Sequence, residues 1–245
     1  MIHYHGTPIT PEKFLPCILR GGHAFVSHKY PQQLETITSV CQSFALDNGA
    51  FSAWRSGNPV EDWTEFYKFA EIVGKLPSCD FVVIPDVIDG NESDNDYMLS
   101  EFPLSKQIGS PVWHMHESFE RLERLCNSGY YKVCIGSSQQ YASVGTKIWW
   151  ERMSAAMDFI CKDGLPPCKL HGLRMLNPKV FTKLPLHSAD SCTIAVKIGI
   201  DNNWKGTLQP ATKSARGQVI RDRIESQQSS TRWGGMWQES EDEYC

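Results

Sequence analysis

Short apolar runs alternate along this chain with longer stretches of helical period, and that alternation limits the fold more than any other feature. The runs are Ile2–Tyr4, Ala24–Val26, Phe44–Leu46, Phe81–Ile84, Val112–Met115, Val133–Ile135, Lys169–Leu170 and Thr193–Ile200. Most are too short for helices and are bounded by turn residues, so they read as buried strands. Between them, Glu61–Leu76 places Trp63, Phe66, Tyr67, Ala70 and Val73 on one helical stripe. Ser118–Cys126 does so with Phe119, Leu122, Leu125 and Cys126, and Thr146–Lys162 with Trp149, Met153, Ala156, Met157 and Ile160. Such alternation implies parallel βαβ units, each helix covering the sheet with its apolar stripe. About eight candidate strands in 245 residues point to an α/β fold of the TIM type, a (β/α)8 barrel. An open doubly wound sheet is the alternative, but no Gly-rich phosphate loop follows the first strand.

Composition narrows the class. No apolar run approaches the roughly 20 residues of a membrane span, and MIHYHGTPITPEKF has no basic or apolar leader region. Nine cysteines, an odd count without repeating spacing, read as reduced thiols in a cytoplasmic protein. The net charge of −4 excludes binding driven by bulk positive charge, though not a local basic face. From Lys205 to Arg232 there are six Lys/Arg against two acids, followed by the acidic QESEDEYC. The expected division is a barrel over 1–204 and a polar, partly flexible extension over 205–245. That extension is either a solvated tail or a basic arm carrying Lys205, Lys213, Arg216, Arg221 and Arg223 onto phosphates. On the second reading, truncation after Trp204 leaves the barrel folded.

The chemistry is suggested by position. Asp47 ends FALD, Asp86 ends FVVIPD, His114 and His116 close PVWHMH, Gly136 closes KVCIG, His171 and Gly172 close KLHG, and Asp190 lies in HSADS. In a parallel barrel all strand C-terminal ends share one face, where active sites sit. Each residue also has a plain structural reading: Asp47 in an Asp-Asn-Gly turn, Asp190 as a cap, either histidine as a core group. The acids of NESDNDY lack EF-hand spacing and read as a solvated loop. His3 and His5 alternate on the first strand and, with His116, His171 and Asp190, could hold a hydrolytic metal.

The segment LDNGAFS resembles the Asp-Ser-Gly-Gly-aromatic-Gln motif of the tRNA-guanine transglycosylases. FVVIPD, KVCIGS, LHGLRM and HSADSCT resemble further segments of that family in the same order, over roughly residues 40–200. The nearest resemblance is to its short phage-type DNA members (DpdA-like), which exchange guanine in DNA for a 7-deazaguanine such as 7-cyano-7-deazaguanine. The resemblance implies a barrel working without metal or redox cofactor, in a host cytoplasm if phage-encoded. Asp190 would be the nucleophile, with Asp201 as fallback, and Asp47 the acid/base. Phe51 would stack on the base and Asp86 bond its edge. Gly136 and Ser137 would supply backbone contacts, His116 (or His114) would read the base, and His171 and Gly172 would form the substrate turn. Here Gly-Gly becomes Gly49-Ala50, the Gln becomes Ser52, and the family's Cys-rich zinc site is missing, which disfavours tRNA. A non-catalytic nucleic-acid-binding barrel is the remaining alternative.

Base exchange breaks and remakes an N-glycosidic bond through an oxocarbenium-like state. A carboxylate nucleophile can hold the sugar covalently while a second acid moves protons between bases. The target base must leave its stack for a pocket with an apolar wall.

Overall fold

The computed structural model describes residues 1–199, 204 and 208–235. The strands are β1 (Ile2–Gly6), β2 (His23–Ser27), β3 (Ser43–Asp47), β4 (Cys79–Val83), β5 (Gly109–Ser110), β6 (Val112–His114), β7 (Lys132–Gly136), β8 (Lys169–Gly172) and β9 (Ser188–Ser191). The first helices are α1 (Leu15–Leu19), α2 (Leu34–Val40), α3 (Ala50–Arg55), α4 (Thr64–Val73) and α5 (Glu92–Glu101). They are followed by α6 (Phe119–Asn127), α7 (Lys147–Ile160), α8 (Pro178–Phe181), α9 (Thr193–Lys197) and α10 (Lys213–Glu225). All strand pairs are parallel, in the order β5-β4-β3-β2-β1-β9-β8-β7-β6.

The sheet is barrel-shaped and nearly closed, because its two outermost strands are consecutive in sequence. Only Pro111 separates them. Ser110 O accepts from Ile84 N on one side (3.0 Å), and Pro111 O accepts from Cys134 N on the other (2.8 Å). Proline has no N–H to give to a ladder, so the extended run 109–114 is interrupted there.

Strand alternation separates two surfaces. Tyr4, Phe25, Ala45, Phe81, Val83, Val112 and Cys134 fill the barrel interior. Their neighbours, including Ala24, Val26, Phe44, Leu46, Val133 and Ile135, pack outward against the helices. Toward the N-terminal ends of the strands the interior is closed by an ion pair between buried Lys132 and half-buried Asp80. Lys132 Nζ lies 2.6 Å from Asp80 Oδ2, and its ammonium sits 4.0 Å from the Phe81 ring centroid. Tyr4 donates its hydroxyl to the same Asp80 oxygen.

Seven of the eight predicted runs fall on strands, and the three apolar stripes fall on α4, α6 and α7. The eighth run, Thr193–Ile200, is corrected: Thr193–Lys197 is helix α9, and Ile200 lies outside the described residues. The last strand is instead Ser188–Ser191, small and polar because part of it faces the site.

NESDNDY is also corrected, from a loop to the start of α5. Asn91 accepts from Asp94 N while Asp94 accepts from Asn91 N, a reciprocal cap that satisfies free N–H groups of the first turn. Its acids are engaged, Glu92 with Ser118 N and Asp96 with Arg121 and Arg124.

The free-arm reading of 205–245 fails over its described part. Helix α10 packs on α1, with Gly217 directly against Ile18. Arg221 donates to the carbonyls of Ile18 and Arg20, and Arg216 to that of Ile198. These carbonyls end α1 and α9, where no intrahelical donor remains. Beyond α10, Ser229 bonds Leu186 N and Leu184 O, and Trp233 bonds Gly164 O. Truncation after Trp204 is therefore expected to abolish the cooperative thermal transition, since it strips a wall from α1 and β1. A 1–204 fragment with full-length melting behaviour would refute this.

Candidate active site

A cavity of about 140 Å3 opens at the C-terminal ends of the strands. A cavity near 150 Å3 accepts a single benzene-sized ring, so this space is of ring-system scale. Asp47, Asp86 and Asp190 all line it, together with Phe51, His114, Gly136, Ser137 and Arg174.

Asp190 is held most firmly. Its Oδ1 accepts from Arg174 N (2.9 Å) and faces His171 Nε2 at 3.3 Å. His171 is fully buried, and burial lowers its pKa against the pull of Asp190, which favours the neutral ring. Its Nδ1 lies 2.8 Å from Ser188 Oγ. Nε2–H donating to Asp190 and Nδ1 accepting from the hydroxyl satisfies both contacts with one proton. Both bonds use Oδ1, which leaves Oδ2 for a reacting centre. His171 does not line the cavity; it orients Asp190 from beneath, its ring stacked on Phe25 at 5.5 Å.

Asp47 ends β3. Burial, followed by repulsion from Asp190, pushes its pKa up to about 7, against the Gly49 N–H and with a smaller push from Asp86. A carboxyl titrating there can both give and take a proton at neutral pH. The turn after it requires glycine, since Gly49 has φ of 82°. Asn48 then starts α3 by accepting from Ala50 N (2.7 Å), and donates to Ile84 O (2.9 Å) and Asp86 Oδ1 (2.8 Å). The plain Asp-Asn-Gly turn is thus also the brace that fixes Asp86.

The raised pKa of Asp47 carries a sign. Folding favours its protonated form, so this contribution to stability is full below about pH 4 and is lost as pH rises through about 7. Asp47→Asn is expected to melt higher than the parent at pH 8, with the gap closing toward pH 4. A pH-independent difference would show that Asp47 titrates normally.

His114 Nε2 lies 3.0 Å from Asp86 Oδ2 without hydrogen-bond alignment, and neither ring nitrogen has a hydrogen-bond partner. Gly136 makes room for the ring, because a Cβ there would lie 3.2 Å from His114 Nδ1. His116 stacks on His114 but points out of the cavity. Its Nδ1 meets Ser138 Oγ and its Nε2 meets Gly90 O. Of the two, the structure brings His114 to the acids, and His116 supports it.

Ser137 lines the cavity and its hydroxyl accepts from Trp149 Nε1. Gly172 does not; a Cβ there would collide with Met175 and Leu186, so its role is packing. Phe51 presents a ring to the cavity, but Arg174 lies over it, 4.0 Å from the centroid. Arg174, absent from the sequence-based site, has φ of 60° and a guanidinium bonded to Ser137 O. Burial draws its pKa down from the ordinary value.

The proposed metal ligands separate. His3 and His5 point outward, to Gln227 O and Glu225 Oε1, away from His171 and Asp190. Among the described residues no three His, Cys, Asp or Glu side chains are placed to hold a metal. No described helix is long and apolar enough to cross a membrane. Of the predicted phosphate-binding residues, Arg216 and Arg221 are engaged with the chain's own carbonyls. Arg223 lies over Trp204, Lys213 is exposed, and Lys205, like Asp201, lies outside the described residues.

Comparison with protein-family models and with curated proteins finds no match.

Proposed function

We propose that this protein is a base-exchange transglycosylase that replaces guanine in DNA with a 7-deazaguanine. On this reading the barrel is an eight-membered (β/α)8 type, β5 and β6 being one strand interrupted at Pro111. The observation that carries the proposal is the pairing of two unlike carboxyls in one ring-sized cavity. Asp190 is fixed by two N–H groups on one oxygen, and Asp47 titrates near neutrality.

Asp190 Oδ2 attacks C1′ of the target nucleoside as the bond from C1′ to the guanine nitrogen breaks. The electron pair of that bond leaves with the base, which takes the proton of Asp47. The incoming 7-deazaguanine then returns a proton from its ring N–H to Asp47. Its nitrogen attacks C1′ and releases Asp190, so the exchange closes without net gain or loss of protons. Asp86, His114 and the Gly136–Ser137 backbone face the base; Phe51 supplies an apolar wall. The two carboxyls divide the roles of nucleophile and acid/base as in retaining glycosidases.

The test is incorporation of labelled guanine into duplex DNA and, in parallel, into tRNA. Label in DNA alone supports the proposal. Label in tRNA alone moves the substrate to RNA, and label in neither, from folded protein supplied also with 7-cyano-7-deazaguanine, rejects base exchange.

A further inference from the structure

Among the described residues Arg174 is the only Lys or Arg lining the acidic cavity. Three carboxyl groups share that space, yet Arg174 forms an ion pair with none of the described residues. Its fixed contacts are one carbonyl, Ser137 O, and one neutral face, the Phe51 ring. A guanidinium has five N–H donors in a planar fork suited to phosphate, so most of its capacity is unspent. A cation drawn partly out of water, acted on by the charge of Asp190 but in direct ion-pair contact with no carboxylate, can take an anion on its free N–H groups.

The backbone of Arg174 is fixed at the same time. Its N–H donates to Asp190 Oδ1, and the residue adopts a left-handed conformation that costs free energy for any side chain but glycine. The same residue therefore touches the nucleophile through its backbone and spans the cavity mouth through its side chain. With C1′ at Asp190 and the base toward Asp86 and His114, the outward part of the nucleotide meets the guanidinium.

We infer that Arg174 is a specificity-determining residue that binds the phosphate next to the scissile glycosidic bond, so that the site takes a nucleotide unit and discriminates against a free nucleoside. The orientation rests on the base-exchange reading. The phosphate, whether a strand diester or a free monophosphate, moves Arg174 off the Phe51 ring and frees that face for the base.

Binding tests this separately from catalysis. Deoxyguanosine, its 5′-monophosphate and its 3′-monophosphate are titrated calorimetrically into wild type, Arg174→Gln and Arg174→Lys, each checked for its thermal transition. One monophosphate is expected to bind wild type roughly 10-fold or more tighter than the nucleoside, as a hydrogen bond to a charged group predicts. Arg174→Gln is expected to lose the preference without losing the nucleoside, and Arg174→Lys to keep part of it. Whichever monophosphate is preferred gives the strand direction through the site. Equal binding of all three by wild type, no binding of any, or a preference that survives in Arg174→Gln overturns the inference. A phosphate preference in a protein that exchanges no base removes the function reading but leaves Arg174 as an anion site.

Discussion

Replacing Asp190 with Asn is expected to lower base exchange by roughly 10^4-fold or more, the scale of removing a nucleophile that acts as part of a unit. The fold should survive. Asn keeps an acceptor oxygen where Asp190 Oδ1 now takes the Arg174 N–H and faces His171 Nε2. What it lacks is the anionic oxygen that attacks C1′ and the capacity to leave again. Wild type incubated with DNA in the absence of incoming base should accumulate a protein–DNA adduct on a denaturing gel, and Asp190→Asn should not. Exchange by Asp190→Asn within tenfold of wild type would end Asp190's candidacy. Asp190→Ala is a poorer test, because it also orphans a buried His171 N–H and loosens the turn that holds Arg174.

Among single substitutions the largest expected effect on stability is at Arg121, which does not line the cavity. Its side chain is fully buried and lies 2.6 Å from Glu117 Oε2, a carboxylate only 1% exposed. It also donates to Asp96 Oδ1 and Val112 O. Glu117 in turn accepts from His114 N and Asn95 Nδ2, and Asn95 Oδ1 accepts from Val87 N. Arg121→Leu leaves a buried carboxylate without its cation, a change that costs about 3–5 kcal/mol. For a chain of this size that lowers the melting temperature by on the order of 10 °C. The same network ties the ends of β4 and β6 together, so survivors should also bind base more weakly. Unchanged melting would show that the pair adds nothing net. Adding Glu117→Leu should recover only part of the loss, since His114 N and Asn95 Nδ2 then lack an acceptor.

The parts of this architecture legible in the sequence are those that repeat a period. Apolar runs located seven strands, and helical stripes located α4, α6 and α7, because sheet-facing sides must be apolar. Strand β9 escaped because SADS is polar, its buried Ser188 and Asp190 serving His171 and the cavity. Helix α10 escaped because its apolar face is short, Ile220 and Ile224 beside Gly217, and arginine-to-carbonyl bonds supply the rest of its seat. The cap of α5 is legible in Asn91-Glu92-Ser93-Asp94, although the same acids suit a solvated loop. In the site, Asp47 and Asp86 followed from their places at the ends of apolar runs, and Asp190 from the resemblance carried by HSADSCT. Asn48, Arg174 and the roles of the two histidines did not. Asn48 works through two turns, Arg174 through a left-handed backbone, and His114 through the space above Gly136. An arginine inside the otherwise apolar turn Leu173–Leu176 was the one available signal for Arg174.

Strand β1 pairs with β2 on one side and, on the other, with β9, joining residues 2–5 to residues 188–191. A ribosome releases the first partner almost at once and the second only after residues 188–191 have emerged. Over that interval one edge of β1 stays open, and its outer face, with His3 and His5, waits longer still for Glu225 and Gln227. Pairing across such a distance is slow, and an open strand edge recruits other chains. Yield from cells should therefore depend on chaperone supply and growth temperature more steeply than the stability of the finished protein predicts.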